Sequence, residues 1–268
     1  MIDFQVNVSD VVFTPFACAA LIYEIVKGLL FQKNQIPYPY ERLKDMVEKR
    51  RKKQNGITLR NYAIETHYRN VSLVYDNLEK INNWIIRDFS KPNSVIKEVL
   101  VVFGDTPHCA REVFTISVCA LDRGHIERNH LKELRKYLQR ILRNIFLSED
   151  FLEAVDASMN CTNVFLYMKK CCSGKLDMHS EDLFESCLPL AIPAKAKQMK
   201  INITNDMNKF SNCCKDLSVF SEDREEVEKH LECKVTMEDG QTEWYKCKFA
   251  IKGFKDCFID KVSACELW

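Results

Sequence analysis

Glycine and proline are both scarce, seven of each in 268 residues, and no Pro/Gly/Ser-rich stretch divides the chain into separate units. With 46% hydrophobic residues, that composition argues against a disordered chain and leaves enough apolar mass for one large domain or two small ones. An excess of either charge sign is missing too. Thirty-nine basic residues against 38 acidic ones give no global field to attract nucleic acid or an anionic membrane, so any charge-based partner must be met locally. No uninterrupted apolar run reaches the roughly 20 residues needed to span a bilayer, because Glu24, Lys27 and Lys97 break the longest ones. The first ten residues, MIDFQVNVSD, lack the basic region, apolar run and small-residue cleavage site of a secretory signal. A soluble intracellular protein is the expectation, with neither nucleic acid nor membrane as partner.

Chemical motifs are equally thin. There is no phosphate-cradling glycine loop, no serine nucleophile elbow, and no interleaving of basic and aromatic residues of the kind that holds single-stranded nucleic acid. No Cys-x-x-Cys pair exists to build a zinc site, and His125 and His130, five apart, do not share a helical face. His108 and Cys109 adjoin, but neighbours on an extended strand point to opposite faces, which disfavours a thiol nucleophile beside its base. Cysteine itself is abundant, thirteen residues. The odd number and scattered spacing argue against a disulfide framework, so reduced, mostly buried thiols are expected, with the doublets Cys171-Cys172 and Cys213-Cys214 as loop or core thiols rather than redox centres. No catalytic residue, cofactor or metal centre is assigned.

What is present is hydrophobic periodicity. A first helix is predicted over 15–34, with Cys18, Ile22, Ile25, Val26 and Leu29 on one stripe and Ala17, Ala20, Leu21 and Leu30 filling much of the rest, so it should be central and covered on several sides. Pro37 and Pro39 forbid its continuation. The run Lys49-Arg50-Arg51-Lys52-Lys53 ahead of Asn55-Gly56 reads as an exposed loop over 48–56, a solvated charge run before it reads as a targeting signal or an acidic-partner site. Over 59–89 a second helix repeats Ile64, Tyr68, Val71, Tyr75, Leu78, Ile81 and Ile85 near a heptad, a spacing that suits a coiled coil or a long packed helix. VIKEVLVVF and VFTISV then read as a hairpin of two strands. A third helix is predicted over 127–155, broken near Ser148, with Leu134, Leu138, Ile141 and Ile145 as its core stripe. Short strands are expected at 164–168, 199–203, 233–237 and 244–251, with Asp239-Gly240 as a tight turn. One α+β domain is the economical reading.

On the third helix, Leu142 and Phe146 fall on a flank rotated toward Arg135, Gln139 and Arg143. Either they widen the buried stripe, or large apolar side chains among long cationic ones form a face that meets another protein.

The stretch LLFQKNQIPYPYERL (29–43) resembles the first-helix exit of HORMA domains, an aromatic-Gln-basic triplet followed by an apolar and proline turn. Together with Val11-Val12-Phe13, LQRILRNIFLSEDF (138–151) and WYKCKFAIKGF (244–254), it is similar to the comet family of Mad-two-binding proteins, over about 11–255. The resemblance implies a HORMA-like fold, three helices on a mainly antiparallel sheet with a C-terminal segment folded over the domain. It would leave residues 1–10 as a short tail and 256–268 as an extension. It also implies an adaptor rather than an enzyme. Such a protein docks on the closed conformer of the spindle checkpoint protein Mad-two by structural mimicry and delivers it to an AAA+ ATPase of the pachytene-checkpoint type. Checkpoint silencing follows in the nucleus and cytoplasm, on the spindle in mitosis. Gln32 matches the family's partner-contacting glutamine, with Arg135, Gln139, Leu142, Arg143 and Phe146 as the rest of the face. Leu142 stands where the family carries an aromatic anchor. Ser186 and Cys187 stand where it carries a Pro-Lys pair that contacts the ATPase. Other HORMA adaptors, of the meiotic or translesion type, would instead thread a peptide under a mobile C-terminal belt, and a thiol or metal enzyme is the distant third class.

Overall fold

Helix α1 (Pro15–Gln32) runs through the middle of the molecule because its sequence is apolar on nearly every side, with Leu21, Ile22, Ile25, Val26, Leu29 and Leu30 all fully buried. Thr14 caps it by accepting a hydrogen bond from the Ala17 amide at 3.2 Å, and Pro15 occupies the first turn, where a missing N–H costs nothing. Among the described helices α1 alone has the length and hydropathy to cross a membrane. It is 61% buried inside the protein and serves as the core helix. Asn34 ends it in a left-handed conformation, φ 53°, that lets the chain turn into the Pro37 segment.

This computed structural model describes residues 2–8, 11–53, 62–91, 94–123, 125, 127–155, 159–172, 183–205 and 242–267. The strand expected at 233–237, the Asp239-Gly240 turn and the Cys213-Cys214 pair lie outside them.

The basic run expected as an exposed loop is the end of a helix, α2 (Tyr40–Lys53). Its arginines are used internally. Arg50 is buried, 2.6 Å from Glu65 with its guanidinium over the Tyr68 ring, and Arg51 Nη2 donates to both carboxylate oxygens of Asp76 at 2.7 and 2.8 Å. Both acids sit on α3 (Tyr62–Phe89), whose buried face carries Ile64, Tyr68, Val71, Tyr75, Leu78, Ile81 and Ile85. That stripe packs on α1 and α2 within the same chain, so the near-heptad marks a packed helix.

Strands β1 (Ile2–Asn7), β2 (Ser94–Gly104), β3 (Ala110–Ser117), β4 (Asn163–Cys172), β5 (Phe184–Cys187), β6 (Lys197–Thr204) and β7 (Thr242–Cys247) form one sheet in the order β1-β6-β3-β2-β4-β7-β5. The short β8 (Ile251–Lys252) pairs with the start of β4. The β2–β3 hairpin is antiparallel with Val99 opposite Ile116, and among the described residues the only parallel pairings in this sheet are β1–β6 and β3–β6. Strand β2 is continuously apolar and buried from Val99 to Phe103, where both of its faces are covered. The main core lies on the helix side, and a smaller cluster of Leu100, Val102, Val113 and Tyr167 lies on the other, with Leu190 and Ile192 packed against it.

Three departures from the expected plan stand out. Residues 2–7, expected within a tail, are an edge strand in parallel register with β6. The described residues hold five α-helices rather than three: α2 is added, and the third helix divides at the break expected near Ser148 into α4 (Glu127–Phe146) and α5 (Glu149–Val155). Residues 256–267 turn back through a tight hairpin, β9 (Phe258–Ile259) and β10 (Val262–Ser263), and lay a 3-10 turn (Ala264–Glu266) against α3.

Candidate functional site

Helix α4 buries Leu134, Tyr137, Ile141 and Ile145, spaced by three and four, and leaves Arg135, Gln139 and Arg143 exposed on the opposite side. Leu138, expected in the stripe, is half-buried beside it. Leu142 and Phe146 are also half-buried and pack against the main core, so each widens the buried stripe and still borders the cationic row.

Phe146 is where α4 meets α1. Its ring lies edge-on to Phe151 of α5, centroids 5.3 Å apart, and Phe151 in turn meets Phe4 of β1 at 5.1 Å. Opposite the ring α1 presents Gly28, where a Cβ would sit 2.2 Å from Phe146 Cζ, so only a glycine admits the ring at this depth. One turn further along α1, the Gln32 Nε2 donates to the Phe146 carbonyl at 3.5 Å, a long and weak bond. The other end of that carboxamide, Oε1, is a buried acceptor with no hydrogen-bond partner. Phe31 and Leu147, adjacent in sequence to Gln32 and Phe146, are 42% and 65% exposed. The junction therefore offers apolar side chains and a row of cationic and amide groups, beside a buried carbonyl acceptor that has no hydrogen-bond partner.

The turn after α1 fixes this geometry. Lys33 is fully buried, paired with Glu112 of β3 at 2.8 Å and donating to the Val155 carbonyl of α5 at 2.9 Å. Gln35, also fully buried, donates to the Lys33 carbonyl at 2.7 Å and accepts from the Thr162 amide at 2.7 Å. Its own backbone carbonyl accepts from the Phe254 amide at 2.9 Å.

Ser186 and Cys187 are elsewhere. They lie on β5, one edge of the sheet, opposite Tyr245 and Trp244 of β7, whereas β1, which touches Phe151, is the other edge. Phe184 pins β5 by stacking on Trp84 of α3 with centroids 4.1 Å apart. Ser186 is exposed and Cys187 half-buried, its thiol pushed up by burial.

Three smaller readings change. His108 and Cys109 sit in a 3-10 turn (Pro107–Cys109), not on a strand, and Cys109 is exposed. The rings of His125 and His130 do meet, 5.6 Å between centroids, because His125 precedes the helix and is not bound by helical spacing. The nine cysteines whose side chains are described are all free, but of these only Cys18, Cys171 and Cys247 are buried, fewer than expected. The sequence reading passed over Gly28 and Leu147. A glycine inside an otherwise apolar helix was the one signal that something approaches closely there.

A family model described as "p31comet: Mad1 and Cdc20-bound-Mad2 binding" matches residues 6–218. The chain belongs to the p31comet family. The MAD2L1-binding protein of Mus musculus is 22% identical over 188 residues, which are 70% of this chain and 64% of the mouse protein, just under two thirds of that relative. The family match takes in all eight candidate residues, from Gln32 to Cys187, and ends before the C-terminal WYKCKFAIKGF motif, so this p31comet chain carries β7 to β10 beyond the matched range.

Proposed function

We propose that this chain is an adaptor that binds the checkpoint protein Mad2 in its closed conformer, on the face where the end of α1 meets α4. The observation that carries the reading is the Gln32 carboxamide. It is held against the Phe146 carbonyl with its own Oε1 buried and unpaired, an arrangement that costs about 1–3 kcal/mol until a donor is supplied. Docking that turns the half-buried Gln32 side chain outward would let a partner N–H satisfy it while Leu142, Phe146 and the exposed Phe31 and Leu147 lose water. Arg135, Gln139 and Arg143 form the polar margin, and belonging to the p31comet family supplies the identity of the partner. Leu142 contributes area without the flat ring of an aromatic anchor.

In this reading the bound conformer is handed to an AAA+ remodelling ATPase of the pachytene-checkpoint type, and the spindle checkpoint is silenced. Preference for one conformer shifts the population only by the affinity difference, so disassembly must draw on the ATPase. The β5 edge with Ser186 and Cys187 is the proposed ATPase contact, and it is the opposite edge of the sheet from β1. Calorimetric titration of the purified chain with closed and open Mad2 tests the assignment. Selectivity for the closed form is expected. Equal affinity for the two conformers, or binding only of an extended peptide, would replace it with another kind of HORMA adaptor.

A further inference from the structure

Away from the α1–α4 junction, chemistry-bearing side chains gather where the C-terminal segment returns to α3. His67 of α3 has its Nε2 3.6 Å from Asp256 Oδ1 and 3.4 Å from Cys265 Sγ. One ligand atom from each of the three residues lies within 4.8 Å of the other two. A tetrahedral Zn²⁺, with bonds of about 2.0–2.2 Å to nitrogen and oxygen and about 2.3 Å to sulfur, separates its ligand atoms by roughly 3.3–3.7 Å. The two edges that meet at His67 already have that length.

The surroundings suit the purpose. His67 is 6% exposed and its ring lies edge-on to Phe254, centroids 5.9 Å apart, which holds its orientation. Asp256 is positioned from the side: its Oδ1 accepts from the Cys257 amide at 2.8 Å and from the Ser263 hydroxyl at 3.1 Å, the kind of outer support that orients a ligating carboxylate. The Tyr38 hydroxyl reaches the same spot, 3.2 Å from Ser263 Oγ. Imidazole, thiolate and carboxylate together favour Zn²⁺ or Co²⁺ over Mg²⁺ and Ca²⁺, which take all-oxygen sets.

We propose that His67, Asp256 and Cys265 bind one zinc-type divalent ion that fastens the C-terminal segment to α3. Water or the Tyr38 hydroxyl completes the tetrahedron. On binding, the Cys265 S–H bond breaks, a metal–sulfur bond forms, and one proton leaves to solvent, with no change of oxidation state. The ion ties residue 67 to residues 256 and 265, a closure between distant parts of the chain that only the folded state makes, so metal binding adds to the stability of that closure.

The test uses the full chain, stripped with a chelator and titrated with Zn²⁺ by calorimetry and with Co²⁺ by optical absorption. One ion per chain is expected, with thiolate-to-cobalt charge transfer and the visible bands of a tetrahedral site. Cys265→Ser should abolish the charge-transfer band, and His67→Gln should weaken Zn²⁺ binding at least tenfold, with circular dichroism checking that each variant is folded. If either variant fails to fold, Asp256→Asn takes its place and should weaken Zn²⁺ binding at least tenfold. Hydrogen exchange gives a second readout: added Zn²⁺ should protect the amides of 257–267 in the native chain and not in Cys265→Ser. Absence of stoichiometric binding by the native chain overturns the proposal. So does a cobalt thiolate band that survives Cys265→Ser, which would place the ion on another cysteine.

Discussion

Gly28 of α1 and Phe146 of α4 are fitted to each other: the ring occupies the space a Cβ would take, with Cζ 2.2 Å, Cε2 2.5 Å and Cε1 3.0 Å from it. Gly28→Ala must move the ring, and overpacking of this kind costs about 1–3 kcal/mol. Replacing a helical glycine returns about 1 kcal/mol. A net loss of about 1 kcal/mol is therefore expected in urea denaturation. In the double variant Gly28→Ala with Phe146→Leu the two losses should be less than additive, because the smaller side chain vacates the contested space.

Gln32 and Leu142 are the proposed anchors on the two helices. Gln32→Ala combined with Leu142→Ala is expected to weaken binding of closed Mad2 by more than about 2 kcal/mol, roughly thirtyfold in Kd. Neither side chain is wholly buried, so the loss should appear in calorimetry with little change in thermal stability. Unchanged affinity would remove this face from the interaction.

The Lys33–Glu112 pair is buried to 0% and 7% side-chain exposure at 2.8 Å. Removing one partner strands a charge, so Glu112→Ala is expected to destabilise the fold by about 3–5 kcal/mol. Replacing both, Lys33→Met with Glu112→Leu, should recover most of that, since similar volume is kept and no charge remains to be desolvated. Equilibrium denaturation of the three variants distinguishes a pair that matters for its charge from one that only fills space.

Acid should destabilise the protein through His125. Burial lowers its pKa from 6.5, Asp122 raises it in part, and His130 lowers it again. Unfolded, the ring takes a proton near 6.5; folded, it does so only at lower pH. Within that window the unfolded chain binds more protons, so stability is fully present above about 6.5 and falls as pH drops toward the folded value. Thermal melts between about pH 7 and pH 5 should show the decline, and His125→Gln should flatten it in part, since His67 is shifted in the same direction.

The elements that the sequence exposes most clearly are those whose partners do not matter to the pattern. Helices α1, α3 and α4 carry buried stripes at helical spacing, and β2 is a branched apolar run, so each is visible locally. Helix α2 was hidden because its arginines are neutralised by Glu65 and Asp76 on a different helix, and a charge run says nothing of distant partners. Strand β1 did leave a trace, the alternation of Ile2, Phe4 and Val6 with polar residues, but six residues before the first helix read more readily as a tail. The contact from Gln32 to Phe146 spans 114 positions. Periodicity placed each residue on a helix, and only the tertiary fold says that the two helix ends touch.

Gln35 joins residue 33 to residues 160, 162 and 254 through its side chain and its backbone carbonyl. On a ribosome, the exit of the first helix is made about two hundred residues before the strand end that completes its hydrogen bonding. The surface at Gln32, built directly on that exit, thus reaches its final shape only after almost the entire described chain has emerged, and a nascent fragment with α1 through α5 would present it unfinished.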